Sequence, residues 1–205
     1  MEEQVRFAIG DITLEGLLWA PAETATIGVV LCHPHPLYGG EMRNNVITAL
    51  ASAFQQAEMA TLRFNFRGVG RSGGVHDQGV GEVDDVTAAV TYLLSRQQVT
   101  TVVIAGYSFG SMVGLRAGIG DERAHKLIGV ALPMGFGDLS FLTTSTKPKL
   151  LISGDRDSYS PIPALQELFT KLRDPKALVT VEGADHFFGG KENIIAKTAV
   201  DFLQE

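Results

Sequence analysis

The chain has 205 residues, 45% of them hydrophobic, and carries 17 lysines and arginines against 23 aspartates and glutamates, a formal charge of −6. That length supports one sizeable core and is short for two, so a single domain over residues 1–205 is expected. Scattered basic residues argue against a nucleic-acid surface, which needs clustered positive charge, and a lone cysteine, Cys32, excludes an intrachain disulfide.

The first residues, MEEQVRF, lack the basic start and apolar stretch of a secretory signal. No segment reaches the roughly 18 apolar residues of a membrane span. A soluble, cytoplasmic protein with neither membrane nor nucleic-acid partner is expected; oligomeric state is not legible.

In chain order, VRFAIG and DITLEGLLWAP alternate around a Gly-Asp turn and predict an antiparallel hairpin. Buried-strand runs follow at 27–33, 59–66, 101–107, 126–133, 149–154 and 177–183, rich in Val, Leu and Ile with little polar alternation. Strands of that kind are covered on both faces, as in a parallel sheet. Helical patterns fall between and after them at Asn44–Gln56, Gly81–Arg96, Phe109–Ile119, Ile162–Leu172 and Lys191–Leu203. The alternation predicts βαβ units in an α/β class fold, a mostly parallel, doubly wound sheet with an N-terminal antiparallel hairpin.

The run VVIAGYSFGSMVGL, 102–115, sets Ser108 at the end of a predicted central strand and the start of a helix, with Gly106 and Gly110 two residues to either side. In a G-x-S-x-G nucleophile elbow the tight turn lifts the serine hydroxyl to the sheet edge, and the N–H of the next residue, here Phe109, points at the same space. A helix-capping serine between packing glycines is the alternative. A serine nucleophile needs a base to take its proton and a third group to orient that base. Two later strand ends supply candidates: GDRDSYSP presents Asp155 and Asp157, and GADHFF presents His186.

Together CHPHPLYGG, NFRGVGRSGG, GYSFG, GDRDSYSP and GADHFF resemble, in order and over almost the whole chain, the α/β-hydrolase family, in particular its small, lidless, bacterial serine esterase-like members related to dienelactone hydrolases. The resemblance implies an α/β-hydrolase fold without a cap domain. It implies a serine esterase that cleaves small carboxylic esters through an acyl-serine intermediate, with no metal and no other cofactor. Dienelactone hydrolases carry cysteine in the elbow, whereas this chain carries Ser108, which favours ester hydrolysis. The family's acid-loop pattern matches Gly154, Asp157 and Pro161, so Asp157 is the implied acid of a triad with Ser108 and His186. Asp155, next to Gly154, suits a turn-capping role. CHPHPLYGG is similar to the family's oxyanion loop. Its prolines have no N–H, so the second donor beside Phe109 N–H is a non-proline residue; by analogy with the family, the resemblance implies His35 N–H, two residues after His33, with Leu37 as the fallback. A thioesterase, a small-peptide hydrolase and a non-catalytic binding module on the same fold remain alternatives.

Two tempting motifs are set aside. His33 and His35 are too few for a catalytic zinc, which takes three protein ligands. The glycine turn around Gly68 and Gly70 does not open directly into a helix, as a phosphate-binding loop would; Arg67 and Arg71 are expected in local ion pairs or hydrogen bonds. His76 and His125, in polar surroundings with no visible partner, receive no role. Between the strand ending near Pro133 and the one starting at Lys149 lies only PMGFGDLSFLTTSTKP, too short for a helical lid. Its Met134, Phe136, Leu139 and Phe141, with Leu37, Tyr38 and Phe187 from neighbouring loops, are candidates for a shallow apolar acyl pocket.

Overall fold

The computed structural model describes residues 1–205. Eight strands, β1 (Glu3–Ile9), β2 (Ile12–Trp19), β3 (Ile27–Cys32), β4 (Ala60–Phe64), β5 (Thr101–Tyr107), β6 (Ala124–Val130), β7 (Lys149–Gly154) and β8 (Lys176–Val181), form one sheet in the order β1-β2-β4-β3-β5-β6-β7-β8. β1 and β2 form the expected hairpin, and β2 pairs antiparallel with β4; every other pairing is parallel. Five helices connect or follow the strands: α1 (Asn45–Gln56), α2 (Gly81–Arg96), α3 (Phe109–Gly120), α4 (Ile162–Lys171) and α5 (Glu192–Gln204).

The missing polar alternation has a direct cause. Along β5, Val102 and Ile104 enter one apolar core, shared with α2, α3 and α4, while Val103, Ala105 and Tyr107 enter a second, shared with α1 and α5. A central strand buried on both faces must be apolar at every position. Cys32 is fully buried at the end of β3 and packs as a small hydrophobe, and burial pushes its thiol pKa up.

Two strands end earlier than their apolar runs. β4 stops at Phe64 because the next residues bond elsewhere. The Asn65 side chain accepts Met42 N–H at 2.8 Å and donates to Glu15 at 2.7 Å, and Phe66 N–H donates to His33 Nε2 at 3.0 Å. β6 stops at Val130 because Ala131 takes φ 48°, outside strand geometry. His125, expected in a polar loop without a partner, lies in β6 and accepts Val102 N–H through Nδ1 at 3.1 Å. No helix is long and apolar enough to cross a membrane.

The segment between β6 and β7 forms a loop with a single 3-10 turn, Ser140–Thr144, and nothing that covers the ends of β5 and β3.

Candidate active site

Ser108 sits where β5 hands over to α3, with φ 54° and ψ −123°. A non-glycine residue with that backbone is strained by about 1–3 kcal/mol and persists only where its surroundings over-determine it. The surroundings are crowded: a Cβ on Gly106 would strike the Gly110 carbonyl, and one on Gly110 would strike the carbonyls of Cys32 and His33. Only glycines let the start of α3 seat so closely on β5 and β3. The serine makes no side-chain capping bond to α3. Its Oγ instead lies 2.9 Å from His186 Nε2.

His186 is held from three directions. Its Nδ1 is 2.8 Å from Asp157 Oδ2, and its carbonyl accepts the Tyr107 hydroxyl at 2.8 Å. Its ring lies 4.8 Å from that of Tyr159. A carboxylate only accepts, so Nδ1 carries the ring proton and Nε2 turns its lone pair to Ser108 Oγ. The Asp157 side chain is fully buried. Its other oxygen accepts the N–H groups of Tyr159 and Ser160 at 2.8 and 3.0 Å, which compensates the burial of its charge. Burial, with the carboxylates of Asp157 and Asp185 nearby, pushes the Tyr107 phenol pKa up and keeps it a proton donor. Asp155 takes a different place: its carboxylate accepts Gly183 N–H at 2.8 Å and ties the acid loop to the turn after β8.

On the other side of Ser108 the groups are backbone N–H donors. Neither Phe109 N–H nor His35 N–H makes a hydrogen bond within the chain. The two side-chain rings touch at 4.8 Å between centroids, so the residues are direct neighbours. Leu37 N–H, the fallback donor, is spent on His35 Nδ1 at 3.2 Å. His33 is fully buried, and both its ring nitrogens are engaged, Nδ1 with Pro34 O at 2.6 Å and Nε2 with Phe66 N–H. Burial pulls its pKa down to about 4.

The sequence reading missed His76. Its ring lies 5.4 Å from Phe109 and 5.0 Å from His35, and Nδ1 lies 2.7 Å from Glu82 Oε1 without hydrogen-bond alignment. Glu82 is fully buried and accepts the N–H groups of Asp77 and Gly79, both at 2.8 Å. Burial and the His76 ring hold the His35 imidazole pKa below its usual range, against the pull of Glu82. Nothing in the spacing of His35, His76 and Glu82 announces this cluster; the folding of the 66–80 segment over Phe109 creates it.

The pocket candidates divide. Met134 and Phe141 pack on the core and Leu139 is buried in it. Leu37, Tyr38, Phe136 and Phe187 stand 70%, 86%, 60% and 64% exposed, forming an open apolar rim rather than an enclosed cavity. The rings of Phe136 and Tyr159 continue that rim to His186.

A hydroxyl bonded to an oriented imidazole can attack a carbonyl carbon, and N–H groups without a partner, as in Phe109 and His35, are the kind of donor that can receive the oxygen's developing charge. Comparisons with known proteins agree on the class. An α/β serine hydrolase homologue from Coxiella burnetii is 32% identical, with TM-score 0.88 and 96% of each chain covered. A serine hydrolase without a lid from Xanthomonas campestris is 29% identical, with TM-score 0.90, covering 99% of this chain and 94% of the other. An uncharacterized protein of Rickettsia prowazekii is 32% identical over 193 residues, 90% of this chain and 81% of its own length. No protein-family model matches the chain. The chain belongs to the α/β-hydrolase family, among its members without a lid, and is a hydrolase by class.

Proposed function

We propose that the protein is a serine carboxyl-ester hydrolase acting through Ser108, His186 and Asp157 on small soluble esters. The observation that carries this reading is the continuous chain from Ser108 Oγ through His186 to the buried Asp157 carboxylate, at 2.9 and 2.8 Å. Ser108 Oγ attacks the ester carbon and His186 Nε2 takes its proton. The oxygen of the tetrahedral intermediate is received by the Phe109 and His35 N–H groups, each worth about 3 kcal/mol where such donors have been removed from other enzymes. Collapse breaks the bond to the alcohol oxygen, which leaves with the proton from Nε2. Water, deprotonated by the same nitrogen, then releases the acid and restores Ser108. The exposed rim of Leu37, Tyr38, Phe136 and Phe187 offers the acyl chain a shallow apolar seat.

Fluorophosphonate labelling of the purified protein, read by mass on the peptide containing Ser108, tests this directly. Stoichiometric modification at Ser108 is expected. An unmodified peptide, from protein that is folded by circular dichroism, turns the assignment toward a binding module.

A further inference from the structure

A cleft of about 810 Å³ is lined by none of Ser108, Phe109, Asp157 and His186, and the ester reaction does not use it. Its walls come from β1, β2, the 36–43 loop and the glycine turn 65–71, and only 4 of its 17 lining residues are hydrophobic, so it does not suit an acyl chain. Three arginines, Arg6, Arg43 and Arg71, line it.

Their charges are left over by the local bonding. Arg6 stands directly across the β1–β2 ladder from Glu15, the position for a cross-strand ion pair. That pair does not form. The Glu15 carboxylate turns instead to Asn65 Nδ2 at 2.7 Å and Arg71 N–H at 2.8 Å. Both donors bond its Oε1, and neither Arg6 nor Arg71 has a carboxylate oxygen within 4.0 Å of its guanidinium. Arg43 reaches only Glu41, at 3.7 Å and solvent-exposed, a contact of little strength. Arg67, in the same glycine turn, shows the contrast: it forms a two-pronged pair with Asp85 at 2.7 and 3.0 Å, as expected for a structural arginine. The expectation that Arg71 is equally occupied fails for its side chain.

We infer that this cleft is a binding site for a ligand carrying two or more phosphate or carboxylate groups, held by Arg6, Arg43 and Arg71. A guanidinium presents a planar fork of donors that matches an oxyanion in pairs. Glu15 and Glu41 also line the cleft, so its three guanidinium groups outnumber its carboxylates by one, and a concave site focuses that excess even on a chain of net charge −6. The volume lies in the range of small-molecule sites and exceeds what one phosphate fills, which favours a multiply charged ligand. The glycine turn thus contributes to anion binding through the side chain of Arg71 and the cleft it borders, not through a helix N-terminus.

Calorimetric titration of the full chain with inorganic pyrophosphate and, separately, with the tricarboxylate tricarballylate, at constant ionic strength, tests the site. Saturable one-to-one binding of at least one probe is expected, and the tighter probe decides between phosphate and carboxylate. Arg6→Ala/Arg71→Ala is expected to weaken that binding by at least about tenfold, and Arg43→Ala, whose guanidinium already faces Glu41, by a smaller factor. Arg116→Ala, outside the cleft, leaves it unchanged. No saturable binding of either probe, or equal binding by the double variant and the unaltered chain, overturns the inference. Ser108→Ala is expected to bind like the unaltered chain, so this result is separate from whether Ser108 is a nucleophile.

Discussion

The two sides of Ser108 are built on different principles. On one, side chains bond to side chains: His186 to Ser108 and Asp157, with Asp157 saturated by two further N–H groups. On the other, His35 and Phe109, whose backbone N–H groups make no hydrogen bond within the chain, pack ring to ring with each other and with His76, which lies against the buried Glu82. If the proposed reaction holds, the first side is expected to depend on chemical identity and to fail on a single atom change, and the second to depend on position and to tolerate a change of residue that keeps the shape.

Substitutions in the bonded side carry the largest expected effects. Ser108→Ala, His186→Ala and the double variant are expected to lower kcat/KM by similar factors, on the order of 10⁴ to 10⁶, because each disables the same step. Additive losses would show that the residues do not act as a unit. Asp157→Asn is expected to cost about 10⁴ through a misoriented imidazole, whereas Asp155→Asn, which loosens only the tie to Gly183, costs far less. Steady-state kinetics on a p-nitrophenyl ester measures all of these.

The positional side is probed at His76. His76→Ala opens a gap beside Phe109 and is expected to lower kcat about tenfold with little change in KM, since the donors act on the transition state more than on bound ester. His76→Phe keeps the ring stack and is expected to recover most of the loss. Equal losses in both variants would make the contact with Glu82, rather than packing, the holding force. An unchanged kcat in His76→Ala would separate this stack from catalysis altogether.

A smaller effect concerns the rim. With nothing for a lipid surface to displace, p-nitrophenyl acetate to hexanoate are expected to be cleaved with higher kcat/KM than dodecanoate, and without a rate jump when substrate exceeds its solubility. A profile peaking at long chains contradicts the open rim.

The smallest effect is on stability and comes from His33. Its folded pKa of about 4 lies below the ordinary 6.5, so between those values the unfolded chain binds a proton that the native chain refuses. Stability therefore falls as pH drops from about 6.5 toward 4, by up to roughly 3 kcal/mol from this group. Urea midpoints of the unaltered chain and His33→Asn, compared at pH 7 and pH 5, are expected to show the steeper acid loss in the unaltered chain. Parallel losses would place the acid sensitivity in other groups.

How much was legible follows from the same division. The both-face burial of the central strands forces uninterrupted apolar runs, so the parallel sheet and its order of helices could be read from residues alone. GYSFG marked the turn at Ser108 because close approach of β5, β3 and α3 admits no Cβ at Gly106 or Gly110. Two places misled. The apolar runs continued past Phe64 and Val130, and only tertiary bonding of Asn65 and Phe66, and the positive φ of Ala131, ended the strands. In the sequence His76 reads as a loop residue without a partner and Arg71 as locally paired; the packing of His76 on His35 and the turn of Glu15 away from the Arg71 guanidinium depend on neighbours far along the chain.

The amino-acid order by itself determined the elements, the strand-to-helix turn at Ser108 and the residue types available for chemistry, since these rest on local sterics and on burial patterns of short period. Tertiary structure alone decided where the Asp155 carboxylate goes, which N–H groups stay unpaired, and which arginines are left without a carboxylate. Each of those depends on which distant groups compete for the same hydrogen bond, and that competition is settled only when the chain has brought them within about 3 Å of one another.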